Sequence, residues 1–302
     1  MTAALSRARW SLLPALLAVS SAAIFARMSL APLGDAQPLA AAFWRAAVAG
    51  LALMPLLLFP QVRKQIRTLT WKKAGHVAGA TVIIALHQIC FITSLNYTSV
   101  AAATLLTSTQ PVWTAILGGW LIREHVSMRN LLALAGALGG MAIVTLSRPA
   151  ESALTGNMLA ILAAILASLF SLAARRLRQH THILPFIFVV NWSGAIFLGI
   201  LAMIFGIPLI GFTQATWTGL IMLGLVPTLI GHTLLTYAIG HMPAFVVNAA
   251  ILGEPVGATV LAAIFLNELP TLQTLVGGVI IVGCVLLIIF ERKIPDSAPE
   301  TA

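Results

Sequence analysis

Gln110-Pro111-Val112-Trp113-Thr114-Ala115, followed by Arg123-Glu124-His125 and Ser127, has a counterpart about 144 residues further along the chain. There Glu254-Pro255-Val256 answers Gln110-Pro111-Val112, Asn267-Glu268-Leu269 answers Arg123-Glu124-His125, and Thr271 answers Ser127. At the same offset Gly139 meets Gly283, Ser11 meets Thr155, and His87-Gln88 meets Gly231-His232. Matched Pro, Glu and Ser/Thr positions at one constant offset mark an internal repeat, not a chance match of two Leu/Ala-rich strings.

Around these motifs the chain is apolar. Of 302 residues 60% are hydrophobic and only 8% are charged, with a mean hydropathy of +1.00. Soluble domains carry about 25% charged residues, so this composition excludes a water-soluble globule, and it excludes disorder and collagen-like repeats as well. Cys90 and Cys284 both fall inside apolar runs, with no disulfide or metal spacing, and read as small buried hydrophobes. The chain reads as a polytopic membrane protein.

A bilayer core takes about 20 mostly apolar residues per helix. Apolar runs bounded by charge, Pro or Gly give ten spans, at 11–30, 38–60, 71–95, 98–122, 128–147, 155–175, 183–206, 213–239, 243–266 and 271–290. The first is read as a transmembrane helix and not as a cleaved leader. With a cytoplasmic N-terminus, fourteen of the seventeen basic residues fall on the cytoplasmic side. Arg27 and Arg148 remain outside and Arg45 lies within a span. This asymmetry predicts N-in, C-in, and explains a net charge of +9 without nucleic acid. Trp10, Trp71, Trp120 and Trp217 fall near span ends as interfacial anchors.

Repeat and spans together predict an all-α integral membrane protein of ten helices in two five-helix halves. Residues 1–147 form the first half, 148–154 a linker, 155–291 the second half and 292–302 a disordered cytoplasmic tail. Five is odd, so the second half enters the bilayer from the opposite side. Inverted repeats of this kind are an architecture of secondary transporters that alternate access around a midplane site.

The run Asn96-Tyr97-Thr98-Ser99-Val100-Ala101-Ala102, then Gln110 to Ala115, then Glu124, resembles the drug/metabolite transporter superfamily, in particular its EamA-type members. The second half repeats the pattern with Glu254-Pro255-Val256, Asn267-Glu268 and Gly277-Gly278. The resemblance covers nearly the whole chain. It implies a ten-helix carrier of small metabolites, commonly amino acids or related amphipathic compounds and often proton-coupled, in the inner cell membrane.

Charged groups at bilayer depth cost several kcal/mol and point to function. Glu254 lies mid-span before Pro255, which cannot bond the carbonyl of Ile251 and so breaks the helical ladder. It reads either as the proton-coupling group or as a protonated side chain bonding a neighbouring helix. Arg45 reads as a fork for a substrate carboxylate or as a snorkelling side chain. His87 and His232 are candidates for substrate contact or proton relay, against interhelical hydrogen bonds. Trp113, beside Gln110-Pro111, and Tyr237 offer aromatic walls, with core packing as the alternative; Trp44 and Trp192 read the same way. Gln110 and Asn248 are added as hydrogen-bonding candidates, with Asn191 weaker. Glu124 and Glu268 are placed at the aqueous boundaries, pairing with basic residues or capping helices. Gly136–Gly140 and Gly277-Gly278 read as close-packing surfaces.

No intramembrane Asp, HExxH or GxSxG occurs, so an enzyme is not expected. No cofactor or metal and no ATP-binding motif is expected either. The expected partners are a small solute, the lipid bilayer and protons as coupling ion, with a monomer as default and a dimer open. The competing function is an uncoupled uniporter or channel.

Overall fold

The computed structural model describes residues 3–30, 34–68, 70–94, 97–98, 100–122, 124, 126–146, 154–266 and 271–290. Asn96, Ser99, Arg123, His125, Glu268 and its two neighbours, the 148–153 linker and the 292–302 tail lie outside them, as does the side chain of Arg27.

Among the described residues the chain is almost entirely helical. In order come α1 (Ala3–Ser20), α2 (Ala22–Ser29), α3 (Pro38–Leu53) running into a 3-10 turn (Met54–Leu58), α4 (Pro60–Arg67), α5 (Trp71–Ser94), α6 (Val100–Thr107), α7 (Gln110–Leu121) and α8 (Met128–Leu146). There follow α9 (Leu154–Arg178), α10 (Ile183–Ile204), α11 (Gln214–Leu223), a π-helical segment (Gly224–His232) leading into α12 (Thr233–Ile239), α13 (Ala244–Ala250), a 3-10 turn (Ile251–Gly253), α14 (Glu254–Leu266) and α15 (Leu272–Ile289). Among the described residues eight stretches are long and apolar enough to cross a membrane: Ala4–Ala26, Pro38–Leu58, Trp71–Ser94, Leu154–Arg178, Ile183–Ile204, Gln214–Ile239, Ala244–Leu261 and Leu272–Ile289. Met128–Ile143 is a shorter apolar helix.

The helix breaks have identifiable causes. Pro111 and Pro255 each lack the N–H that would continue the ladder, and each stands at the second position of a new helix, after Thr109 in α7 and after the 251–253 turn in α14. The first apolar run is interrupted at Ser21, where the Ser20 and Ser21 hydroxyls donate to the carbonyls of Leu16 and Ala18 at 2.7 Å each. Side-chain bonds of this kind compete with the helical backbone. The first helix also begins earlier than the apolar run, at Ala3. A helix that the hydropathy pattern does not predict, α4, holds the basic stretch after α3.

The strongest packing is of α8 on α15 and of α5 on α9, followed by α3 on α10 and α2 on α11. The glycines of α8 permit the first contact: a Cβ on Gly140 would meet the Gly277 carbonyl oxygen at 2.9 Å, and one on Gly136 would meet Cys284 Sγ at 2.8 Å. The π segment is clasped by glycines in the same way. Gly224 lies against Val48 of α3 and Gly231 against Val19 of α1, so close that an added Cβ would meet Val48 Cβ at 2.6 Å and Val19 Cγ1 at 2.7 Å. A continuous apolar core runs through α1, α8, α10, α12, α13 and α15.

Candidate functional site

A cavity of about 70 Å³ opens between α3, α5, α10 and the π segment with α12. Each wall follows helical spacing. Thr81, Ile84, Ala85 and Gln88 stand at i, i+3, i+4 and i+7 on α5; Ile187, Val190, Asn191 and Gly194 do so on α10; Thr228, His232 and Thr236 stand at i, i+4 and i+8. Arg45 enters from α3, and Phe170 and Phe186 supply aromatic surface. Pockets that enclose drug-sized ligands measure roughly 300–1,000 Å³, so this cavity is too small to enclose one.

Arg45 is the centre of the polar lining. Its Nε–H donates to Thr228 Oγ1 at 3.1 Å, and its Nη2 lies 3.1 Å from His232 Nε2. A guanidinium only donates, so Nε2 is the acceptor and the His232 proton sits on Nδ1. Thr228 passes its own hydroxyl proton to the Leu223 carbonyl at 2.8 Å, a bond across five residues that belongs to the π geometry. Gln88 presents an Oε1 that is buried and makes no hydrogen bond among the described residues, an acceptor inside a cavity whose other wall carries a cation.

The remaining candidates distribute unevenly. His87 does not line the cavity: its Nδ1–H donates to the Ala163 carbonyl of α9 at 2.9 Å, and its ring stacks over Phe91. Glu254 is half-buried and also off the cavity wall. It attracts Arg45 electrostatically across the interior but forms no ion pair within 4.0 Å among the described residues. Its backbone carbonyl accepts the Ser20 hydroxyl of α1 at 3.0 Å.

Gln110 and Asn248 belong to a second network, between α7, α9 and α13. Asn248 is 1% exposed; its Nδ2 donates to Thr114 Oγ1 at 2.7 Å and its Oδ1 accepts from Ser171 Oγ at 3.1 Å. Gln110 Nε2 reaches Ser171 Oγ at 3.4 Å, and its carbonyl accepts from Thr114 and Ser168 at 3.0 and 2.8 Å. The Asn248 amide has both its oxygen and its nitrogen bonded to side chains of other helices, which describes an interhelical tie. Trp113 Nε1 donates to Thr109 within its own segment at 3.2 Å, and Tyr237 packs against His241 with ring centres 4.5 Å apart; neither lines the cavity.

Trp44 closes one end of the bundle. Its Nε1–H donates to the Leu209 carbonyl at 2.6 Å, and Phe43 and Trp217 meet its ring edge-on at 5.1 and 4.7 Å. Trp217 is therefore part of an aromatic plug. Nearby, Asp35 accepts the Thr213 N–H at 3.1 Å and donates its own N–H to Thr216 Oγ1 at 3.1 Å, pinning the α2–α3 connection to the start of α11. The Thr216 hydroxyl holds the Asp35 carboxyl below its ordinary value of 3.8. At the other end Glu124 is 8% exposed, not open at an aqueous boundary. Its Oε1 accepts from Arg175 Nε at 2.9 Å and its Oε2 from the first N–H of α13, on Ala244, at 3.2 Å. Arg175 also donates to the Ile239 carbonyl at 3.1 Å. Glu124 thus both pairs with a basic residue and caps a helix.

Thr81, Thr228, Thr233 and Thr236 are polar lining residues that motif reading passes over, and Gln88 enters that reading only as part of the repeat. Their signal is their spacing, since each set recurs on one helical face within an otherwise apolar span.

A bundle of membrane-length apolar helices around a cavity with a few polar side chains in its wall is the architecture of an integral membrane protein. The chain belongs to the EamA-like transporter family, whose pattern matches residues 9–146 and again 154–290. It is similar to two transporters of Bacillus subtilis (strain 168), both described as uncharacterized. The first is YetK, 25% identical over 226 residues, which are 72% of this chain and 68% of that protein. The second is YdfC, 26% identical over 191 residues, 61% of each. A crystal structure described only as that of a protein shares the fold, with a TM-score of 0.76 over 93% of this chain and 96% of that one, at 18% identity.

Proposed function

We propose that the protein is a secondary active exporter of small metabolites, of the class of amino acids or related amphipathic compounds, working by proton-coupled alternating access in the inner cell membrane. The observation that carries this reading is the cavity lined both by Arg45, held by Thr228 and His232, and by Gln88, whose buried Oε1 has no partner among the described residues. A cationic fork and a free acceptor suit a solute with a carboxylate at one end and an N–H donor at the other.

Ten spans in two inverted five-helix halves, with both termini cytoplasmic, complete the proposal. Packing supports it, because contacts recur at the offset of 144 residues. Equivalent helices meet in α3 with α10 and in α8 with α15. The contact of α5 with α9 has its image in that of α1 with the π segment and α12, and α7 with α9 has its image in α1 with α14. The carbonyl before each repeated proline accepts a serine from the other half, Ser168 at Gln110 and Ser20 at Glu254.

Glu254 is the group we assign to proton coupling. Its position off the cavity wall, without an ion pair among the described residues, favours an uncoupled facilitator as the second reading. Flux of a labelled amino-acid panel into proteoliposomes, with and without a pH gradient, separates the two. Accumulation above equilibrium only with the gradient, lost in Glu254→Gln while insertion is unchanged, is the expected result. Equilibration regardless of the gradient would establish the facilitator.

A further inference from the structure

Helix α4 and the start of α5 carry Arg63, Lys64, Arg67, Lys72 and Lys73, all exposed. No acidic residue occurs between Asp35 and Glu124, and no carboxylate pairs with these five among the described residues. Among the described residues Lys73 alone of the five side chains has a hydrogen-bond partner, the His180 carbonyl at 3.4 Å. The helix is two-faced: Val62 and Ile66 are half-buried, with α4 resting on α10, while Arg63, Lys64 and Arg67 point away. Large apolar side chains flank the charge on both sides, with Leu58 78%, Phe59 56% and Trp71 94% exposed. Because α4 joins two membrane-length helices, it lies at a bilayer surface whichever side that surface faces.

We propose that this face of α4 with the first turn of α5 is a binding surface for anionic phospholipid, the cationic side chains taking the phosphodiester and Leu58, Phe59 and Trp71 seated among the upper acyl carbons. The charge is complementary, five cations against a headgroup of net negative charge. The apolar side chains at either end explain why the occupant is a lipid and not a soluble phosphate, since an aqueous anion leaves Trp71 and Leu58 uncovered. Juxtamembrane clusters of four to eight basic residues attract anionic lipid, each contributing additively, and an amphipathic segment adds the buried apolar area to that attraction.

The test is native mass spectrometry of the full-length protein in detergent, offered phosphatidylglycerol and phosphatidylcholine in equal amounts. The protein retains phosphatidylglycerol over phosphatidylcholine by about tenfold or more, and raising the salt erodes the preference. The combined Arg63→Gln, Lys64→Gln and Arg67→Gln variant lowers the ratio severalfold, with Lys72 and Lys73 keeping the remainder, while Arg129→Gln, at an exposed basic residue on another helix, leaves it unchanged. No preference in the unaltered protein, a preference insensitive to salt, or one that inorganic phosphate abolishes as readily as added lipid would overturn the proposal. The salt and phosphate titrations need no variant, so the outcome stands even if the triple substitution impairs folding.

Discussion

Arg45 commits two of its five N–H donors to the π segment, one on Nε to Thr228 and one on Nη2 to His232, which leaves three, two on Nη1 and one on Nη2, without a partner among the described residues. A lysine has the charge without the fork and cannot hold both partners in one plane. Arg45→Lys is expected to raise KM for the transported solute about tenfold or more with little change in the amount of inserted protein; an unchanged KM would remove Arg45 from recognition. Asp35 gives a pH dependence of known sign. Its folded carboxyl titrates below 3.8, so the clasp on the start of α11 is fully formed above that value and is lost as the pH falls beneath it. Hydrogen exchange of the Thr213 amide is the readout: it should quicken in Asp35→Asn at neutral pH, and in the unaltered protein only in acid once the intrinsic rate is allowed for.

Within the elements, the close approaches made by glycine divide the harmless substitutions from the costly ones. A Cβ on Gly231 meets Val19 Cγ1 at 2.7 Å and the Val19 backbone nitrogen at 3.2 Å, whereas one on Gly139 meets nothing within 4 Å. Gly231→Val should therefore destabilise by about 1–3 kcal/mol as an overpacked contact, and Gly139→Ala should be neutral or stabilise by roughly 0.5–1 kcal/mol, as thermal midpoints in detergent would report. The element level is also where the sequence was most and least legible. Hydropathy located the long helices, and Pro255 announced the break before α14, because a missing N–H is a local fact; the break before α7 at Pro111 fell inside a run read as one span, 98–122. The basic run of α4 reads as a loop by hydropathy, since its apolar residues are only those that rest on α10. The π segment was equally hidden: Pro227 in an apolar run looks the same whether four or five residues close the turn. Of the candidate site, Arg45 and His232 came together, while Gln110 and Asn248 fell into a separate tie with Ser168 and Ser171, because which helices are neighbours is not written in either one alone.

At the scale of the whole molecule, the two ends of the bundle are closed by different chemistry. One end has the aromatic plug of Phe43, Trp44 and Trp217 with the Asp35 clasp; the other has the buried Glu124–Arg175 pair reaching Ala244 and Ile239. The proposed topology puts the first outside and the second in the cytoplasm. In a variant lacking Cys90 and Cys284, a cysteine at Ile210, which is 76% exposed between α10 and α11, should react with an impermeant thiol reagent applied to intact cells. One at Lys64 should react only after the membrane is opened. The reverse pattern would invert the topology and with it the placement of both ends.

The π segment has one more consequence. Its five-residue bonds take up more chain per turn than an α-helix does, so it holds slack that an uninterrupted helix lacks. Passing one residue of that slack along the helix would advance Thr233–Ile239 by about 1.5 Å and spin it by roughly 100°. Thr236 would swing off the cavity wall, and His232 would lose its alignment with Arg45, without any helix unwinding or any loop changing length. The wall proposed to meet the solute would then behave as a screw thread, turning in place while the glycine contacts at Val48 and Val19 act as its bearings.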